Sequence, residues 1–127
     1  MKPENTNANS NLALANDIQI KAKQLGFDWP DISPVFDKVR EELDEVRRAL
    51  KTGDKNAQID EVGDLLFAVV NLARHLNISP DDALKQACQK FDKRFTQVKQ
   101  MAQQANIDMS NAHIDELEAL WQAAKKR

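Results

Sequence analysis

Two groups of acidic residues, separated by a short stretch of chain, have the residue types and spacing that could do chemistry in this sequence. Glu41, Glu42 and Glu45 form the first group, and Glu61 and Asp64 form the second. Residues three or four apart on a helix are surface neighbours, so each group presents its carboxylates together. Converging carboxylates repel one another unless a cation lies between them, and oxygen ligands suit Mg²⁺ or Mn²⁺. The pattern predicts a divalent-metal site with Glu42, Glu45, Glu61 and Asp64 as its ligands.

The helical angle of Glu42 favours this interpretation over a solvated acidic surface. At about 100° per residue, Glu42 projects near the middle of an apolar stripe, whereas Glu45 falls on its flank. Acidic runs on helices are mostly solvated and paired with Lys or Arg, and that explanation suffices for either group alone. A carboxylate directed towards a core is costly unless it is compensated. The stripe comprises Val35, Val39, Leu43, Val46 and Leu50.

Five helices are predicted to position these residues, since no stretch alternates with the period of a strand. Gly26 should end the first helix, Ser33 should be the N-cap of the second with Pro34 at its first position, and Ser79 should cap the fourth. The fold class is therefore all-α, a four-helix bundle core with an additional C-terminal helix. The helices are expected at about 12–25, 33–52, 55–76, 79–102 and 112–126.

The third predicted helix is apolar on all sides at residues 65–70, which indicates the centre of a bundle or of a dimer. A short connection should hold it antiparallel to the second helix, so that both acidic groups lie at similar depth. The aromatic rings of Phe27 and Trp29 are expected to anchor the loop between the first and second predicted helices. Cys88 is expected in the core, and His75 is expected to complement the negative end of a helix.

Composition limits the classes of function. The chain has 127 residues and a formal net charge of −2, which argues against a nucleic-acid partner. A single cysteine excludes an intramolecular disulfide and is typical of a reducing compartment. The sequence lacks an apolar run that would cross a membrane, so we expect a cytoplasmic protein. Residues 1–11 are expected to be a disordered polar tail, and residues 12–127 a single helical domain.

Basic and aromatic residues further along the chain are candidates for contact with an anionic ligand. Lys90 and Arg94 are one helical turn apart, and Trp121 and Lys125 repeat that spacing. Arg suits forked phosphate contacts, Lys acts as a mobile point charge, and Trp offers a face for stacking on a base. Taken singly, these residues are more simply explained as surface cations and a core tryptophan.

The order of the motifs resembles the MazG branch of the all-α nucleoside triphosphate pyrophosphohydrolases. Residues 41–45 (EELDE) and 61–64 (EVGD) match an EExxE…ExxD signature, and residues 63–75 continue it as GDLLFAVVNLARH. Residues 26–29 (GFDW) and 90–95 (KFDKRF) are also similar to that branch. The longer bacterial members carry two tandem domains, and this chain resembles the second, catalytic one.

The resemblance implies a Mg²⁺-dependent enzyme that cleaves nucleoside or deoxynucleoside triphosphates between the α and β phosphates. It further implies that Lys90, Arg94, Trp121 and Lys125 contact the nucleotide and that the protein assembles as a homodimer or a higher oligomer. Glu41 and Glu42 are the catalytic candidates. For Glu41 three roles stay open, as a metal ligand, as a base or as an orienting group.

Three alternatives accompany this hypothesis. In the first, the protein is a dUTP or dCTP pyrophosphatase with a narrower substrate range. In the second, it is a phosphoribosyl-ATP pyrophosphatase. In the third, it is a non-catalytic helical module that senses nucleotides. A panel of nucleotides would separate the enzymes from one another. Tight binding without turnover would identify the module.

Overall fold

The computed structural model describes residues 10–127, and all regular structure in that part of the chain is helical. This confirms the all-α prediction. A short 3₁₀ turn, Met109–Asn111, precedes the last helix. The helices are α1 (Asn11–Gln24), α2 (Ser33–Thr52), α3 (Lys55–His75), α4 (Pro80–Gln104) and α5 (Ile114–Lys125).

The predicted helix boundaries agree with the structure to within a few residues, with one error at the start of α2. Ser33 is the first residue of α2 and Ile32 occupies the N-cap position, where no side chain caps the helix. The Asp31 carboxylate instead accepts a hydrogen bond from the Ser33 N–H at 3.0 Å. The cap at Ser79 is confirmed, since its hydroxyl accepts from the Asp82 N–H at 3.2 Å.

The part of the chain that the structure describes divides into two compact units. The first ends at Ala83 and the second is Leu84–Arg127. The predicted tail, residues 1–11, falls mostly outside the described residues. Its last two residues are described: Ser10 caps α1 by accepting from the Ala13 N–H at 2.9 Å, and Asn11 begins the helix.

In the first unit α3 packs against both α2 and α1. Gly53, with φ of 70°, ends α2, and Asp54 caps α3 by accepting from the Asn56 N–H at 2.9 Å. Because this turn is so short, the two helices run antiparallel and the acidic groups face each other at similar depth.

The buried and the exposed apolar side chains of α3 differ in size. Ala68 and Val70 are buried, whereas the larger side chains of Ile59, Leu66 and Leu76 are exposed in the single chain. The short side chain of Ala68 allows close approach of a neighbouring backbone, which larger side chains at that position would prevent. On α2, Val35 and Ala49 are buried while Leu43 and Leu50 are exposed.

Two expectations about single residues are wrong. Phe27 is 83% exposed and Trp29 is 47% exposed, so their rings do not anchor the α1–α2 loop. Asp28, between them, holds that loop through an ion pair with Arg74. Cys88 is exposed instead of buried. Among the described residues, no helix is long and apolar enough to cross a membrane.

Candidate active site

Glu42 lies on the side of α2 that faces α3 and is 8% exposed. Lys38, one turn earlier, places its Nζ 3.2 Å from Glu42 Oε1 and 3.2 Å from Glu41 Oε2. The hydrogen bonds to Glu41 and then to Glu42 raise the pKa of Lys38, which therefore stays charged. Sequence reasoning missed Lys38, although its spacing of four residues from Glu42 is the signal that could have identified it.

The structure brings Glu42 together with Glu61 and Asp64 of α3. Each of these three side chains offers a carboxylate oxygen, and the three oxygens lie within 4.8 Å of one another. Glu45 is outside this group in the structure. Its half-exposed side chain forms an ion pair with Arg48. The acidic cluster, defined here as Glu42, Glu61 and Asp64, thus joins three of the four predicted ligands.

The electrostatics of the acidic cluster favour a bound cation. The pKa of Glu61 is raised, first because its carboxylate loses hydration and then because other carboxylates repel its charge. The repelling groups are Asp64, Glu45, Asp60 and Glu42. A cation placed among these oxygens would relieve that repulsion.

The donor chemistry fits a hard divalent ion. The three groups are all carboxylates, which suit Mg²⁺ or Mn²⁺. Lys38 contributes a single positive charge, and it lies against Glu42 on the side shared with Glu41. The single charge of Lys38 leaves a net negative charge on the acidic cluster for a metal to neutralise.

A cavity of about 680 Å³ opens beside the acidic cluster within the first unit. Asp64, Ala68, Asn71 and Arg74 line it on successive turns of α3, so it follows that helix for about 15 Å. Glu42 and Lys38 line it from α2. Its volume is in the range of small-molecule sites. The remaining wall is mostly apolar and comes from α1, the α1–α2 loop and α3: Ile18, Gln19, Ala22, Gly26, Phe27, Asp28, Trp29 and Phe67.

A largely buried ion pair closes the far part of the cavity. The Arg74 guanidinium donates from Nη1 to Asp28 Oδ2 at 2.9 Å and from Nη2 to Asp28 Oδ1 at 2.8 Å. His75 Nε2 lies 3.1 Å from the same Oδ1. Arg74, followed by His75, holds the pKa of Asp28 far below its usual range despite the opposing effect of burial. Sequence reasoning missed this pair because 46 residues separate its members, so no local pattern reports it.

Arg74 also organises two neighbouring amides. Its Nε donates to Gln19 Oε1 at 3.4 Å, and Gln19 Nε2 donates to the Phe67 carbonyl at 3.0 Å. Its Nη2 donates to Asn71 Oδ1 at 2.5 Å. The Arg74 side chain thereby links α1, the loop and α3 around one end of the cavity.

In the second unit, Arg94 and Trp121 lie together. The Arg94 guanidinium carbon is 5.0 Å from the centre of the Trp121 ring, and the Phe91 ring centre is 5.2 Å from that of Trp121. This contact orients both side chains through a cation–π interaction. Lys90 and Lys125 are exposed.

Comparison with known proteins identifies the family of this chain and several of its relatives. The model of the MazG nucleotide pyrophosphohydrolase domain matches residues 33–99, which is more than half of the chain. A nucleoside triphosphate pyrophosphohydrolase of Escherichia coli K12 is 39% identical over 118 residues, covering 91% of this chain and 45% of the relative. A nucleoside triphosphate pyrophosphohydrolase/pyrophosphatase MazG of Thermotoga maritima is 39% identical over 114 residues, covering 90% and 44%. The chain therefore spans slightly less than half the length of these relatives.

Proposed function

Because this chain belongs to the MazG nucleotide pyrophosphohydrolase domain family, we propose that it hydrolyses nucleoside or deoxynucleoside triphosphates between the α and β phosphates. The products would be the monophosphate and pyrophosphate. The observation that supports this most directly is the acidic cluster, which brings carboxylates of α2 and α3 within 4.8 Å of one another beside a cavity. The relatives of Escherichia coli and Thermotoga maritima are named for this activity, and we propose that this chain shares it.

Glu42, Glu61 and Asp64 would hold Mg²⁺, or Mn²⁺ in its place. A divalent cation in such a site neutralises phosphate charge and lowers the pKa of a bound water. Glu45 would join the ligands by exchanging its ion pair with Arg48 for the metal. Glu41, held by Lys38 at 3.2 Å and exposed to solvent, is the candidate for orienting or deprotonating the attacking water.

For the second unit we propose that Lys90, Arg94, Trp121 and Lys125 contact the nucleotide, as the family resemblance implies. Arg94 would supply a fork for phosphate oxygens, and the Trp121 ring would hold that guanidinium in position beside the nucleotide. Their mutual contact, with the guanidinium 5.0 Å from the ring centre, supports a shared role for Arg94 and Trp121.

We further propose that the protein assembles as a homodimer or a higher homo-oligomer. The support is the row of large apolar side chains on α3 that remain exposed in the single chain, such as Ile59 and Leu66. Monomeric proteins rarely expose extended apolar surface of this kind.

A nucleotide panel tests the proposed activity. Pyrophosphate release would be measured from ribo- and deoxynucleoside triphosphates with Mg²⁺ and, in parallel, with EDTA. Release across the panel that depends on Mg²⁺ supports the proposal. Release from dUTP, dCTP or phosphoribosyl-ATP alone would identify a narrower enzyme. Tight nucleotide binding by calorimetry without release from any member would identify the non-catalytic sensing module.

A further inference from the structure

We propose that the cavity of the first unit is the nucleoside subsite and that Asn71 selects bases carrying a keto oxygen, by donating a hydrogen bond from its amide nitrogen. The inference rests on the proposed function for the position of the phosphates. It adds the substrate class, which would be 6-oxopurine and 4-oxopyrimidine nucleotides in preference to their amino counterparts.

The hydrogen bond from Arg74 fixes the orientation of the Asn71 amide. A guanidinium group has donors and no acceptor, so the Asn71 atom that faces Arg74 at 2.5 Å must be the oxygen. Arg74 is itself fixed by two hydrogen bonds to Asp28 and one to Gln19. The amide therefore cannot rotate by half a turn without placing its NH₂ group against the guanidinium.

This orientation leaves the Asn71 amide nitrogen free to face the cavity. With Oδ1 engaged, the Asn71 Nδ2 carries two N–H donors, and the hydrogen bonds of residues 10–127 give it no protein acceptor. Asn71 lines the cavity and is half-buried. A ligand in the cavity therefore meets a group that can only donate, which is complementary to the exocyclic keto oxygen of a base and not to an exocyclic amino group.

The distance between Asn71 and the acidic cluster suits the length of a nucleotide. Asn71 lies two helical turns after Asp64, about 10 Å along α3. The turn between them carries Ala68, whose short side chain also lines the cavity. This arrangement leaves room for a sugar when the phosphates lie at Asp64 and the base lies near Asn71.

The apolar wall gives the base its remaining contacts. Trp29 and Phe27 line the cavity from the α1–α2 loop, and both rings are more than 40% exposed. Exposed aromatic rings beside a cavity offer faces on which a base can stack. Since Asp28 anchors the loop to Arg74, one ion pair positions both the aromatic wall and the Asn71 amide.

The test compares nucleotides that differ at a single group. Binding of the non-hydrolysable α,β-imido analogues of dITP and dATP, and of dUTP and dCTP, would be measured by calorimetry, together with kcat/KM for the triphosphates. The wild-type protein should prefer the keto member of each pair by about tenfold, the value of one good hydrogen bond. The binding arm gives its answer even if no nucleotide is hydrolysed.

The variant Asn71→Asp makes the test specific. Asp retains an oxygen for Arg74 and replaces the NH₂ donors with an acceptor at almost the same volume, so the preference should reverse towards dATP and dCTP. Asn56→Asp, an exposed change on the same helix, should leave the ratios unchanged.

Equal affinity for both members of each pair in the wild type, or ratios that Asn71→Asp leaves unchanged, would overturn the base-selection inference while leaving a hydrolase intact. Loss of Mg²⁺-dependent turnover on every nucleotide, with the keto preference still present in binding, would instead overturn the proposed function.

Discussion

Glu42 is a nearly buried carboxylate that shares one ammonium group, Lys38, with its neighbour Glu41. Across the helix interface it meets Glu61 and Asp64, so negative charge exceeds positive charge on that side. The pKa of Glu61 on α3 is raised first by loss of hydration and then by the same excess of negative charge. A site that concentrates negative charge in this way gains affinity for a cation, at the expense of folding stability.

The first prediction concerns this charge. Glu42→Gln and Asp64→Asn should each lower Mg²⁺-dependent kcat/KM by at least about 100-fold, the upper end of what loss of a supporting group alone causes. Asp44→Asn, an exposed change on α2, serves as the control and should retain activity. Pyrophosphate release at several Mg²⁺ concentrations would measure the effect. Full activity in either variant would show that the substituted residue does not belong to the metal site.

The second prediction concerns Asp28. Its folded-state pKa is lowered, so the Asp28–Arg74 pair contributes stability that is present above the ordinary Asp pKa of about 3.9 and is lost as pH falls towards the folded pKa. Asp28→Asn should therefore reduce the free energy of unfolding at neutral pH by about 3 kcal/mol, since it leaves a largely buried guanidinium unpaired. The difference from the wild type should shrink below about pH 4.

Urea unfolding from pH 7 down to pH 3 would measure the Asp28 effect. Asp17→Asn, an exposed change on α1, is the matched control and should follow the wild type. A deficit in Asp28→Asn that stays constant over the whole pH range would contradict the assigned ion pair.

At the scale of elements, the α2–α3 hairpin fixes the acidic cluster. Gly53 has φ of 70°, a left-handed conformation that is costly for other residues. The turn is two residues long, so the depth at which α2 meets α3 is set by this conformation together with the Asp54 cap.

The third prediction follows from that conformation. Gly53→Ala should destabilise the protein by about 1 kcal/mol, because Ala is strained in the left-handed region. Gly63→Ala, inside α3 with no atom within 4 Å of the added Cβ, should stabilise by a similar amount through helix propensity. Thermal unfolding of the two variants would measure opposite shifts in Tm. Equal shifts in the same direction would contradict this account of the turn.

The helices themselves could be predicted from the sequence, because caps and glycine stops act locally. The angle of Glu42 was also predictable, since it depends only on helical periodicity. The buried face of α3 was not: hydrophobicity favours Leu66 and Ile59, whereas close packing selects Ala68. The Asp28–Arg74 pair and the orientation of Asn71 join distant segments, so no spacing along the chain reveals them.

At the scale of the whole molecule, the exposed apolar row on α3 is the feature that a single chain leaves unexplained. Ile59, Leu66 and Leu76 are each about half exposed or more. Fully burying an exposed side chain of this size is worth on the order of 2 kcal/mol, so covering this half-exposed row on both copies favours association.

The fourth prediction tests this association. Light scattering should give a dimer or a larger species at micromolar concentration, and Leu66→Glu should shift the mass towards the monomer because it places a charge in the apolar row. Lys55→Glu, an exposed change at the start of the same helix, should leave the mass unchanged. A wild-type protein that remains monomeric throughout would contradict the proposal.

The central claim is that, with Mg²⁺, water attacks the α-phosphorus of the triphosphate and pyrophosphate leaves, and the fate of the oxygen of that water tests it most directly. Hydrolysis of a deoxynucleoside triphosphate in ¹⁸O-labelled water with Mg²⁺ should place the label in the nucleoside monophosphate and leave the released pyrophosphate unlabelled, and EDTA should abolish the reaction. Label in the pyrophosphate, or release of inorganic phosphate with a nucleoside diphosphate, would contradict attack at the α-phosphorus.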